Sequence, residues 1–147
     1  MSPTKAPFQQ LIGQTEKALN AILDRQLAGA ISEPQWVALV LIAGSGDSAS
    51  RDQVTARLAH ALKADTGTAA DHLGGLLAKG LVQPVPESGS DLALTKAGHE
   101  LLGRIQRQVG EITQRLWGDL PAAEMDVTRG VLATILERTD SELSAAS

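Results

Sequence analysis

Between Ser50 and Gly98 the chain is punctuated so tightly that few folds can accommodate it. Ser50-Arg51-Asp52-Gln53 has the form of a capping box, in which serine and glutamine side chains satisfy each other's backbone amides at a helix start. Val54, Leu58, Ala61 and Leu62 follow at helical spacing and predict a short helix ending near Ala64. Asp65 or Thr66 can cap a second helix immediately. Its inner stripe is Ala69, Leu73, Leu76 and Leu77, and Gly80 closes it. Gly74 and Gly75 weaken the middle of that helix by roughly 1 kcal/mol each relative to alanine. Leu81 to Val85 then reads as extended, with Pro84 marking an edge strand. Ser88-Gly89 is turn chemistry, Leu92-Ala93-Leu94 is the return strand, and Thr95 opens a further helix.

Helix, tight turn, helix, short ribbon, helix is the layout of a winged helix-turn-helix, which delivers its second helix to the DNA major groove. The residues on that helix are unusual for the task. From Thr66 to Lys79 its only basic residue is Lys79, at the far end. The loop Pro86-Glu87-Ser88-Gly89-Ser90-Asp91 has none. The whole chain of 147 residues carries a net charge of −4, which argues against strong non-specific affinity for DNA.

The flanking segments are helical as well. Residues 6–28 place Phe8, Leu11, Ile12, Leu19, Ile22, Leu23 and Leu27 on one helical face. Ser32-Glu33-Pro34-Gln35 is another capping box, with proline allowed in the first turn. The segment after it, Trp36 to Ile42, is apolar nearly all round and predicts a buried helix. Gly44-Ser45-Gly46-Asp47 reads as a loop. The helix opened by Thr95 runs to Trp117, striped by Leu101, Leu102, Ile105, Val109, Ile112 and Leu116. Gly118 to Pro121 breaks it. A last helix over 122–138 is striped by Met125, Val131, Leu132, Ile135 and Leu136, and the small polar tail 139–147 is expected to fray.

The expectation is therefore a mainly α fold of six helices with a small β-hairpin wing, forming one domain over 1–147. Aromatic residues make up 2% of the chain, so its core must be built from Leu, Ile, Val and Ala. The terminal helices are too many and too apolar for a winged helix alone, and a second copy of the chain is their simplest partner. With no cysteine, neither disulfide nor thiolate metal site can form. His60, His72 and His99 are not at the i, i+4 spacing of a helical metal site, so no metal and no cofactor are expected. No apolar run approaches a bilayer span, and Met1-Ser2-Pro3-Thr4-Lys5 does not lead into a signal-peptide core. The chain reads as cytoplasmic, with no membrane partner. It also lacks a phosphate loop and a nucleophile motif, so an enzyme is not expected.

Several stretches together resemble the MarR family of transcriptional regulators. Ile31-Ser32-Glu33-Pro34-Gln35-Trp36-Val37-Ala38-Leu39 is similar to the family's second helix. Leu58-Ala59 and Leu62 carry the pattern of its third. Leu76-Leu77-Ala78-Lys79-Gly80-Leu81-Val82 resembles the end of its recognition helix, and Leu94-Thr95-Lys96-Ala97-Gly98 the start of its fifth. Leu120-Pro121-Ala122-Ala123-Glu124 resembles the start of its last. The resemblance implies a homodimer built by helices in 6–30 and 96–138. It also implies a DNA-binding lobe over 31–95 that docks on pseudo-palindromic double-stranded DNA, and a repressor answering to a small-molecule effector. Two departures stand out. The family wing usually carries an Asp-x-Arg motif, but the segment from Gly80 to Thr95 is short and holds no arginine. Where the family recognition helix often has arginine, this chain has Asp71.

The residues expected on the DNA side are Thr66, Gly67, Thr68, Ala69, Asp71, His72 and Gly75 of the recognition helix. Thr68 and His72 could donate to base edges, Ala69 could touch a thymine methyl, and Asp71 could accept from cytosine N4. Arg51 and Lys63 could hold phosphates, as could the neighbouring Arg57, Lys79 and Lys96. Ser88 and Ser90 are the wing residues left to face DNA. Trp36 is the candidate effector contact, although a tryptophan on an apolar helix also serves simply as core. The competing reading is a MarR-like dimer with weakened or lost DNA binding that acts through a protein or small-molecule partner. The acidic balance and the arginine-free wing favour it.

Overall fold

Short polar side chains decide where four of the helices begin. In the computed structural model, which describes residues 6–46 and 48–145, the elements are α1 (Phe8–Leu27), α2 (Glu33–Gly44), β1 (Ala49–Ser50), α3 (Arg51–Leu62), α4 (Thr66–Ala78), β2 (Val82–Pro84), β3 (Asp91–Leu94), α5 (Lys96–Trp117) and α6 (Ala122–Ala145). The Ser32 capping box forms in full: Gln35 N donates to Ser32 Oγ at 3.3 Å, and Ser32 N donates to Gln35 Oε1 at 3.0 Å. Asp65, not Thr66, caps α4 by accepting from Thr68 N at 2.7 Å.

The second expected capping box is only half made. Ser50 Oγ accepts from Gln53 N at 3.4 Å, with no reciprocal bond from the Gln53 side chain. Ser50 is also the last residue of β1, a strand the sequence did not reveal. There it pairs with Asp91, while Ala49 pairs with Leu92. β2 pairs with the other side of β3 from Val82↔Leu94 to Pro84↔Leu92. The sheet is therefore antiparallel, in the order β1-β3-β2. β2 lies at an edge, where proline removes no needed ladder donor.

The chain divides into two units, residues 1–109 and 110–147. The first has one aliphatic core. Leu27 from α1, Leu39 and Ile42 from α2, Leu58 from α3, Leu73 and Leu76 from α4, Leu92 from β3 and Ile105 from α5 are each at most 1% exposed. No aromatic side chain is fully buried among the described residues, and Trp36 packs half-buried against this cluster. A complete aliphatic side chain is worth about 1.5–3 kcal/mol when buried, so this small unit rests on interdigitated leucines and isoleucines rather than on rings.

The start of α5 is fixed to the turn that follows α4. Thr95 N donates to Leu81 O at 3.0 Å, and Thr95 Oγ1 to Gly80 O at 2.7 Å. The same hydroxyl accepts from Gly98 N at 3.1 Å, which caps α5. A β-carbon on Gly98 would lie 2.1 Å from Leu81 O, so only glycine permits this approach of helix to backbone.

The second unit holds the end of α5 and all of α6. No residue of α6 is fully buried. Of the expected stripe, Met125 and Ile135 are half-buried, whereas Val131, Leu132 and Leu136 are 46%, 46% and 56% exposed. The tail differs from expectation, because α6 continues through Ala145 instead of fraying from 139. Glu, Leu and Ala are good helix formers and carry the helix on, while the hydroxyls among them are accommodated by donating to the carbonyl four residues back. Thr139 Oγ1 donates to Ile135 O at 2.7 Å, and Ser141 Oγ to Glu137 O at 3.1 Å. Residues 146 and 147 lie outside the described residues. No helix among those described is long and apolar enough to cross a membrane.

Candidate nucleic-acid interface

The turn between α3 and α4 is only three residues long, 63–65, and its geometry is dictated locally. Lys63 takes the left-handed conformation at φ 55° and donates its amide to His60 O, while Ala64 N reaches Ala59 O at 2.9 Å. Those bonds satisfy orphan carbonyls of α3. Asp65 follows in extended conformation and caps α4, so α3 cannot run on and α4 must start here. Hydrogen bonds from Thr68, through its backbone and its hydroxyl, and from Gly67 hold the Asp65 carboxyl below its ordinary pKa.

Successive residues of α4 are turned by about 100°, which sorts its side chains among three environments. Ala69, Leu73 and Leu76 point into the core and are fully buried. The expectation that Ala69 meets a thymine methyl is thus corrected, since its methyl is needed for packing and has no exposed area. Its neighbour Ala70 is exposed instead. His72 and Gly75 turn toward α2. The field of His72 acts on Glu33 in the first turn of α2, and a β-carbon on Gly75 would meet Gln35 Nε2 at 2.3 Å. Both are half-buried, so neither belongs to the outermost surface. Glu33 itself has a raised pKa, chiefly from desolvation, then from repulsion by Asp24 and Glu16, with His72 opposing.

That leaves Thr66, Gly67, Thr68, Ala70 and Asp71 as the exposed N-terminal surface of α4. Together with α3 it borders an open cleft of about 490 Å³, lined by Arg51, Asp52, Thr55 and Ala56 on one side and Thr66, Gly67 and Ala70 on the other. The Thr55 hydroxyl donates to Arg51 O at 2.8 Å, so it offers the cleft only its lone pairs. The Arg51 backbone amide donates to Ser90 O at 3.1 Å, which ties the start of α3 to the wing. The Arg51 side chain is exposed and supplies a positive charge at the cleft rim.

The wing loop is folded on itself. Val85 N donates to Asp91 O at 2.9 Å and Asp91 N to Ser88 Oγ at 2.9 Å. Ser48 Oγ donates to Asp91 Oδ2 at 3.3 Å. Ser88 and Ser90 are exposed, but the Ser88 oxygen and the Ser90 carbonyl already accept bonds within the protein. Glu87 is the charged residue at the tip. Lys79 is exposed but aims its ammonium at Ala30 O (3.0 Å) and Gln35 Oε1 (3.1 Å). The polar role of Gln35 and the exposure of Ala70 escaped the sequence reading. Ala70 stands three residues before Leu73, the spacing of a shared helix face, so phase alone did not mark it as exposed, and Gln35 was visible only as half of a capping box. Among the described residues no group of three or more His, Cys, Asp or Glu is placed to hold a metal ion.

No protein-family model and no curated protein matches the chain. Solved structures do. A transcriptional regulator, PA3341, is 26% identical with a TM-score of 0.74, covering 92% of this chain and 99% of its own. A MarR family transcriptional regulator from Silicibacter pomeroyi is 18% identical with a TM-score of 0.74, over 91% of this chain and 90% of its own. A mutant MarR from E. coli, solved in complex with operator DNA, is 24% identical with a TM-score of 0.69, over 88% of this chain and 94% of its own. From α1 to α6, therefore, this chain has the fold of the MarR-family transcriptional regulators.

Proposed function

We propose that the protein is a homodimeric, DNA-binding transcriptional regulator that reads a pseudo-palindromic operator with α4, acting as an effector-responsive repressor. The observation that carries this reading is the exposed N-terminal turn of α4 beside the Arg51-rimmed cleft. The turn presents small side chains and a carboxylate that can approach base edges, and the cleft offers the Arg51 cation to the backbone. The E. coli MarR mutant, whose fold this chain shares, was solved on operator DNA.

Dimerisation is supported by the apolar surfaces of the terminal helices. Phe8 and Ile12 on α1 are 57% and 38% exposed, and Val127, Val131, Leu132 and Leu136 on α6 are all at least 46% exposed. Apolar patches of this kind mark interaction surfaces, and a second copy would bury both sets and give the two-fold symmetry that a palindrome requires. Trp36 is the proposed effector contact, being half-buried on a helix that links α1 to the DNA-binding lobe.

The acidic charge and the folded, arginine-free wing support the second reading, a dimer that works through another partner. Enrichment from a pool of random duplexes at low salt separates the two. The first reading expects an inverted repeat to be recovered. Recovery of no common sequence rejects it and leaves the second.

A further inference from the structure

The C-terminal half of α4 carries a polar joint that plays no part in the exposed reading surface. Gln35 is 9% exposed, and its Oε1 accepts both from Ser32 N at 3.0 Å and from Lys79 Nζ at 3.1 Å. The same ammonium donates to Ala30 O at 3.0 Å. A β-carbon on Gly75 would stand 2.3 Å from Gln35 Nε2, so glycine is what allows α4 to lie against this amide. One cation thus ties the turn after α1, the first turn of α2 and the last turn of α4 together.

We propose that Gln35 and Lys79 are positioning residues for sequence reading: they fix the tilt and rotation of α4 so that its exposed first turns meet base edges in one register. The proposal rests on α4 being the DNA-reading helix. Two physical points support it. Hydrogen bonds from an ammonium are roughly twice as strong as neutral ones, and this ammonium makes two, to Ala30 O and to Gln35 Oε1. The helix being held is also weak in its own right, with Gly74 and Gly75 adjacent in its middle. Base-edge hydrogen bonds fail steeply once distance and angle drift, whereas phosphate contacts carry no sequence information and tolerate a shift. Releasing the joint should therefore reduce discrimination while leaving general affinity in place.

The test compares binding to the enriched inverted repeat with binding to a scrambled duplex of equal length. Lys79→Met keeps the apolar stem of an exposed residue and removes only the donor, so the domain folds. Gly75→Ala pushes the Gln35 amide away, and Gln35→Glu keeps an acceptor in place. The expected result is a ratio of affinities reduced by about fivefold or more in Lys79→Met and Gly75→Ala, with scrambled-duplex affinity within about twofold of wild type and Gln35→Glu close to wild type. An unchanged ratio in Lys79→Met overturns the proposal even if Gly75→Ala does not fold. Equal losses on both duplexes also overturn it, because Lys79 would then be a phosphate contact. A wild-type protein that prefers neither duplex removes the underlying reading of α4 instead, which is a different failure.

Discussion

Gly98→Ala is the substitution for which local propensity and packing make opposite predictions. In a helix interior alanine is favoured over glycine by about 1 kcal/mol, so propensity alone makes the variant more stable. Geometry reverses the sign. The new methyl would sit 2.1 Å from Leu81 O and 3.3 Å from Leu94 Cγ. A relaxed carbon–oxygen contact is roughly 3.3 Å, so α5 must retreat by about 1 Å from a backbone that cannot swing aside. That retreat stretches the bonds of Thr95 to Leu81 O (3.0 Å) and Gly80 O (2.7 Å) beyond hydrogen-bond range. Losing both costs about 2 kcal/mol, and overpacking a filled site about 1–3 kcal/mol more. Against the propensity gain, the net expectation is a destabilisation of about 2–4 kcal/mol. Urea unfolding at fixed protein concentration measures it, with a lowered midpoint and an unchanged slope. Gly110→Ala, in the same helix but with nothing within 4 Å of the added carbon, is the control, expected to be neutral or to stabilise by up to about 1 kcal/mol. The same sign of change in both variants would refute the reasoning.

Other consequences follow from the caps, the wing and the terminal helices. The Asp65 carboxyl has its pKa lowered by folding, so the stability it contributes is complete above the unfolded value near 3.8 and is lost as pH falls through the lower folded value. Asp65→Ala should therefore lower the melting temperature at neutral pH, with the gap to wild type closing in strong acid; a gap independent of pH would contradict the capping role. Glu87→Arg places a cation at the tip of the wing, where the minor groove attracts arginine, and should raise operator affinity and steepen its salt dependence by about 2 for a dimer. No change would place the wing away from the duplex. Leu132→Glu, at a residue 46% exposed, puts a charge on the apolar surface of α6 and should yield monomers in sedimentation while α6 stays helical. A dimer of unchanged strength would move the interface elsewhere.

Much of this fold can be read from the residues because its signals are local. The Ser32 and Asp65 caps, the turn at 63–65 and the leucine stripes of α2 to α5 each act within a few residues, and tertiary packing agrees with them. β1 was hidden because a two-residue strand has no periodicity, and Ser50 shows only its capping function in sequence. The persistence of α6 to Ala145 was hidden for a related reason: a small polar tail resembles a frayed end until its hydroxyls are seen bonding back to the helix. The site was less legible than the fold. Assigning Ala69 to both the inner stripe and the DNA face asked one methyl to occupy two environments, and only burial decided between them. Lys79 showed the converse problem. A lysine at a helix end looks like a phosphate contact, and the aim of its ammonium depends on Ala30 and Gln35, which lie 49 and 44 positions away in the chain.

The central claim is that this acidic protein reads DNA with α4 while making few phosphate contacts. Fluorescence anisotropy of a duplex carrying the enriched inverted repeat, titrated with the protein at several salt concentrations, tests it most directly. Arg51, Arg57 and Lys63 are the exposed cations of α3 and its turn. Three phosphates per subunit at about 0.9 each predict saturable binding of one dimer per duplex, with a slope of log K against log salt smaller in magnitude than about 6. A slope near 10 would contradict the sparse cationic surface, and the absence of saturable binding at low salt would contradict DNA reading itself.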